Sequence, residues 1–588
     1  MQISTLDWAI IVAFFLVTLL IGLWVSKQSG KSAREFFLSG RNMPWWLLGV
    51  SMVATTFSAD TPNLVTDIVR KNGVAGNWVW WAFLLTGMMT VFIYAKLWRR
   101  SGIMTDLEFY ELRYSGGSAS FLRGFRAIYL GVFFNIMIMA TVMLAGIKIG
   151  GVMLGISPVQ TVLLVSLITV VYATLGGLRG VILTDFFQFT LSMIGMVAGA
   201  IYILGLPEIG GLSNLVSHPS VSGSLSFLPD FNDMNVAVPL FFFPIAIQWW
   251  SMWYPGAEPG GGGYIAQRML SARNENDAVK ATLLFNVAHY ALRPWPWIII
   301  ALASLVVFPD LESLKASFPG IDNSIVQDDL AFPAMLTMLP KGLMGLLIAS
   351  LIAALMSTIS THLNWGSSYV VNDFYGRFIN IEATESQKVK VGRISTVILM
   401  ILSAIFALYL SNALQAFNIL LQIGAGTGLI FILRWFWWRI NAYSEIAAMI
   451  ISFVIAIYFE TIYDGGMEPY ERFSIGVAIT TIVWVAVTFL TQPTDKNVLK
   501  SFYTKIKPYH HGWKPIINTL NKEEQEELTH ISDSSLGKEM GMMFLGCILV
   551  YLCLFGIGSL IYGNTMMGMV MLITSALAGM LLFRVWKS

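Results

Sequence analysis

The chain has 588 residues, of which 56% are hydrophobic and only 12% are charged, with a formal net charge of +2. The charged fraction is about half that of an ordinary soluble domain, and no basic array or stacking-aromatic pattern points to nucleic acid. Hydrophobic runs of roughly 18 to 25 residues recur along almost the whole length. This is the pattern of an all-α polytopic membrane protein.

In chain order, fifteen candidate spans fall near 8–26, 45–70, 76–97, 125–152, 158–175, 182–204, 237–256, 278–308, 333–371, 391–410, 413–437, 443–460, 472–491, 541–562 and 565–584. The first run, WAIIVAFFLVTLLIGLWVS, lacks a basic leader and a small-residue cleavage pattern, so it is expected to be retained. Cys547 and Cys553 share one apolar run and read as small core residues rather than a disulfide or metal site. Loop charge sets the orientation. Lys27, Lys31, Arg34 and Arg41 follow the first span; Arg99, Arg100, Arg113, Arg123 and Arg126 surround the loop after the third; Arg268, Arg273 and Lys280 follow the seventh. The connection 205–235 has no Lys or Arg. The positive-inside rule then places the N-terminus outside and the C-terminus in the cytoplasm of a bacterial-type inner membrane. The largest cytoplasmic piece, 492–540, reads as a solvated connector, although its basic, aromatic first part could also lie on the membrane surface.

Two spans are interrupted. The second breaks at FSADTPN (57–63), with Asp60 and Pro62 at mid-membrane, and the seventh runs into WYPGAEPGGGGYIAQR (253–268), where Pro255, Pro259 and four consecutive glycines cannot hold a regular helix. Counting five spans from each break gives two groups, 45–204 and 237–438, and because five is odd they enter the membrane with opposite polarity. The segment 1–44 then supplies an extra N-terminal span and loop, and 439–588 the accessory C-terminal spans. Paired broken helices heading inverted repeats mark secondary transporters with a midplane site. The simpler alternative is that Pro and Gly only kink packing helices.

A further feature is the stretch MSTISTHLN (356–364) inside an otherwise oily span. Ser357, Ser360 and Thr361 fall on one helical face, with Thr358 at its edge and Ala354 one turn earlier. Such a face offers hard oxygen donors to an alkali cation, or its hydroxyls simply bond back to carbonyls one turn earlier.

The sequence resembles the sodium/solute symporters, the family of sodium/glucose, sodium/proline and sodium/sialic acid transporters. The resemblance spans roughly 30–445 and rests on SMVATTFSAD (51–60), YATLGGLRGVILTDFFQF (172–189), YIAQRMLSARNENDAVK (264–280), AALMSTISTHLN (353–364) and FWWRINAYS (436–444). It implies a leucine-transporter-type fold of five plus five inverted helices and a sodium-coupled carrier without enzymatic activity or another cofactor. It also implies a shared sodium site at the Ala54 and Phe57 carbonyls, the Ala354 carbonyl and the Ser357 and Thr358 hydroxyls. An additional sodium found in some members would fall at Asp185, Ser357, Ser360 and Thr361. Read from the sequence alone, Asp185 is either a cation ligand or a structural acid near a helix start.

The substrate candidates are Asp60 and Thr61 at the first break, Gln248, Trp253 and Tyr254 before the second, and His289, Tyr290 and Arg293 in NVAHYALRPWPW, with Gln422 in the eleventh span. Asp60 could face a substrate ammonium, take a proton or cap the following half-helix. Arg293 could hold a carboxylate bidentately, snorkel or pair structurally. The polar family residue ahead of the QR motif is Gly here, which departs from a galactose-like mode. These features lead to an expected sodium-driven importer of a small polar organic solute, a sugar, amino acid or carboxylate. A proton-coupled carrier of the same fold is the alternative. A transporter-like sensor would need a fused signalling domain, and a membrane enzyme would need clustered His, Asp or Cys. Apart from sodium, solute and lipid, the sequence implies no obligate partner.

Overall fold

Lipid offers no hydrogen bonds, so an apolar segment inside a bilayer must satisfy its backbone within itself, and the α-helix does so. The computed structural model describes residues 3–251, 258–319, 326–410, 426–521, 523, 525 and 536–587, and no β-strand occurs among them. Ten of the described helices are long and apolar enough to cross a membrane. Along the chain, α1 is Thr5–Ser29, α2 Trp45–Thr55, α3 Thr61–Asn72, α4 Val74–Ser101, α5 Gly116–Ile147 and α6 Pro158–Leu204. These are followed by α7 Met234–Ala246, α8 Gly263–Ser271, α9 Glu275–Val307, α10 Leu343–Ile379 and α11 Glu385–Tyr409. The chain closes with α12 Ala442–Ile457, α13 Pro469–Leu490, α14 Leu536–Ile561 and α15 Thr565–Lys587.

The first expected interruption is present, and of the second the described residues 258–262 are non-helical, while 263–268 belong to α8. Residues 56–60 separate α2 from α3, and Pro62 stands in the first turn of α3, where its missing N–H costs nothing. In the second interruption, Gly260, Gly261 and Gly263 have φ of 86°, 85° and 58°, which explains the glycine run. One boundary is corrected. The spans expected near 158–175 and 182–204 are both helical and meet at a kink at Gly177, whose φ of 53° and ψ of −158° are non-helical. A Cβ there would stand 2.7 Å from the Phe36 carbonyl oxygen. The span expected from 333 starts at Leu343 instead, because Pro340 and Gly342, with φ 88°, separate it from the short helix Ala331–Leu336.

The helix α10 is buried along nearly all of its length. It packs against α6, α1 lies against both of them, and α14 pairs with α15. The segment following 492 is not a free connector. Its helix Lys496–Ile506 buries Leu499, Phe502, Tyr503 and Ile506, and Phe502 stacks on Trp513 at 5.4 Å. At the bundle end that carries the 102–115 loop, Glu111 accepts hydrogen bonds from Arg123 at 2.7 Å, Ser120 at 2.6 Å and Arg377 at 3.0 Å. Burial works against its charge, but these bonds outweigh it and hold the carboxyl at about 2, below its ordinary 4.5.

Candidate ion and solute site

The first break leaves backbone oxygens without helical partners. Phe57 N–H donates to the Ala54 carbonyl at 3.1 Å, whereas the buried Phe57 carbonyl receives no hydrogen bond among the described residues. Facing this break, the Thr358 hydroxyl of α10 lies 3.1 Å from the Thr55 carbonyl and 3.2 Å from the Ala354 carbonyl. Thr358 thus joins α10 to the end of α2 at Thr55, with Ala54 and Phe57 close by in the chain on one side and Ala354 and Ser357 on the other. Ser357 donates its proton to Asp185 Oδ1 at 2.6 Å, which leaves its oxygen lone pairs for another ligand.

Asp185 is completely buried and also accepts from the Ser51 hydroxyl at 2.6 Å. Beside it lies a residue that sequence reasoning assigned no role at the site. Arg268, fully buried on α8, places Nη2 at 3.7 Å from Asp185 Oδ2 and donates to the Thr361 hydroxyl at 2.7 Å. Its Nε reaches Ser51 at 3.2 Å, and Thr55 and Thr361 hydroxyls lie 3.0 Å apart. Ser360 turns instead to the Ser357 carbonyl at 3.0 Å. The missed signals were the i, i+4 polar pair Ser51 and Thr55 on α2 and an arginine within a buried half-helix.

Next to this cluster is a cavity of about 280 Å³, near the lower end of small-molecule sites. It is lined by Asp60, Thr61, Gln248, His289, Tyr290 and Arg293, all named from the sequence, and by Thr358 from the ion cluster. Aromatic walls come from residues not foreseen, Trp80, Phe83, Tyr264 and Trp297. Trp80 stacks on Tyr290 with centroids 5.9 Å apart, and Arg293 sits 5.3 Å over Trp297. Gln248 is tied to the Val79 carbonyl at 2.9 Å. Asp60 occupies the N-cap position of α3 without a side-chain cap bond, so the capping role expected among its alternatives is not observed. Trp253, Tyr254 and Gln422 lie outside the described residues.

A bundle with two broken helices, a buried hydroxyl face and a central cavity defines a secondary carrier. The family model for the sodium:solute symporter family matches residues 36–452. The chain is 25% identical over 507 residues to a sodium/glucose cotransporter of Vibrio parahaemolyticus, covering 83% of this chain and 91% of that one. It is 27% identical over 475 residues to the sodium/sialic acid symporter SiaT of Proteus mirabilis (strain HI4320), covering 77% and 89%. A solved structure of a Na+-coupled sialic acid symporter, substrate-bound and outward-open, superposes with a TM-score of 0.69 at 23% identity over 84% of this chain and 99% of that one, which establishes the shared fold. The chain belongs to the sodium:solute symporter family. It is a multi-pass membrane transporter, not an enzyme, and sodium is its coupling ion.

Proposed function

We propose that the transported sodium is held by the Ala54, Phe57 and Ala354 carbonyls with the Ser357 and Thr358 hydroxyls, and that a small polar organic solute occupies the adjoining cavity and is imported with it. The donor set suits the ion: five hard carbonyl and hydroxyl oxygens, the donor type that hard cations take. The observation that carries this reading is the double position of Thr358. Its hydroxyl reaches the unwound edge of α2, and the same residue lines the cavity. An ion seated there ties α10 to the broken helix and shapes one wall of the solute site, so each ligand favours the same state. Rocking of the two repeats about the cavity then exposes it to either side.

We assign one sodium per cycle. At the additional set, Asp185 and Thr361 already carry the Arg268 guanidinium, and a second cation would compete with it for the same oxygens. One charge moving through 100 mV supplies roughly 2.3 kcal/mol, about fifty-fold accumulation at ~1.4 kcal/mol per decade. The loop charges orient the N-terminus outside and the C-terminus in the cytoplasm of an inner membrane.

Equilibrium binding of radioactive sodium to the purified protein tests the ion site. Ser357→Ala combined with Thr358→Ala removes two ligands and should weaken sodium at least about tenfold, since loss of a hydrogen-bonding or coordinating oxygen in a buried site costs ~1–3 kcal/mol. Normal sodium affinity in the double variant would exclude the assignment.

A further inference from the structure

The cavity holds two opposite charges that do not neutralise one another. Asp60 and Arg293 both line it, and no ion pair joins them. Asp60 Oδ1 is buried without a hydrogen-bond partner, although a buried carboxylate oxygen ordinarily has one.

The arginine is committed on one side only. Arg293 Nη1 donates to the Val53 carbonyl at 3.1 Å and to the Thr56 hydroxyl at 3.2 Å, which fixes the guanidinium against the broken helix. Its Nε is buried with no partner, and Nη2 has only a 3.4 Å contact with His289 Nε2. Nε and Nη2 form the edge that matches the two oxygens of a carboxylate. The rings of Trp80, Tyr290 and Trp297 form part of the apolar wall, together with aliphatic side chains such as Leu64, Ile138 and Val142.

We propose that the solute is a zwitterion of amino-acid or betaine type, whose ammonium is received at Asp60 and whose carboxylate is received by the Nε–Nη2 edge of Arg293. The inference rests on the reading of this cavity as the solute site. Two opposite charges left apart in one desolvated space are each costly until a ligand completes both. A neutral sugar completes neither. A solute with one charge completes one and leaves the other exposed. Because a zwitterion adds no net charge, each cycle still carries only the charge of its sodium.

Thermal-shift measurements on the purified full chain, in sodium and in potassium, test this directly. The probes are the common free amino acids and glycine betaine, the same amino acids as N-acetyl derivatives and as methyl esters, and neutral hexoses. At least one free amino acid or betaine should stabilise the wild-type chain in sodium, and for an amino acid its acetylated and esterified forms should bind roughly thirtyfold or more weakly, as loss of one member of a buried charge pair dictates. Asp60→Asn should reduce the preference for the free amine over the N-acetyl form. Arg293→Gln should reduce the preference for the free acid over the ester. The sodium-induced shift of each variant reports that it is folded, and the comparison of derivatives on the wild-type chain needs no variant. A hexose or a singly charged derivative as the best ligand would overturn the proposal, and so would a complete lack of response to amino acids and betaine. Zwitterion binding that is equal in potassium would leave this inference standing while sinking the proposed sodium site. Sodium-dependent binding of a hexose would do the reverse.

Discussion

Two acid and arginine combinations lie within a few turns of the same broken helix, and they are built differently. Asp185 and Arg268 are enclosed, with Ser51, Ser357, Thr55 and Thr361 filling the positions around them. Asp60 and Arg293 share a cavity, remain apart and keep polar atoms without partners. A satisfied buried pair holds helices in place, whereas an unsatisfied one is an unfinished site. The first group locks α2, α6, α8 and α10 together; the second awaits a ligand.

The largest effect expected from breaking this contrast is at the closed pair. Asp185→Asn strands the Arg268 charge and should destabilise the protein by about 3 to 5 kcal/mol, seen as a large fall in melting temperature in detergent. Asp185→Leu with Arg268→Met should recover much of that loss, because neither charge is left alone. If the single variant melts like wild type, the pair is not structural. The open pair should behave in the opposite sense. Asp60→Asn removes a buried charge that no basic side chain pairs, so its ligand-free melting temperature should match or exceed that of wild type while solute binding is lost. A fall comparable to that of Asp185→Asn would erase the distinction between the two groups.

A sharper test concerns competition at the closed pair. Arg268→Gln leaves the Asp185 carboxylate open to another cation, so the sodium dependence of binding should steepen from a Hill slope of about one toward two. A wild-type slope already near two would show that sodium and Arg268 share the site. The smallest expected effect lies outside the spans. Glu111 titrates near 2 in the folded chain against an ordinary 4.5, so its contribution to stability is complete above about pH 4.5 and is lost as the pH falls toward 2. Melting curves across that acid range should flatten in Glu111→Gln. The same pH slope in both proteins would mean that other carboxylates set it.

Much of this comparison is legible in the sequence. The breaks at 57–63 and 253–268 show as Asp, Pro and Gly inside apolar runs, and the hydroxyl face of α10 shows as Ser and Thr at helical spacing. Asp60, Thr61, Gln248, His289, Tyr290 and Arg293 were all named and all line one cavity. The partners were not legible. Arg268 reads as a loop cation when counted for membrane orientation, yet it is completely buried and reaches residues on three other helices.

Composition and periodicity determined that the chain spans a membrane, where its helices run and where they fail, because lipid forces each segment to satisfy its own backbone locally. Only the tertiary structure decided which charges neutralise one another. Asp185 and Arg268 are 83 positions apart in sequence, as Asp60 and Arg293 are 233 apart, and nothing in either spacing says that the first pair closes to 3.7 Å while the second stays open around a cavity. Electrostatic pairing in a dry interior depends on distances of a few ångströms set by helix packing, and helix packing is a property of the assembled chain.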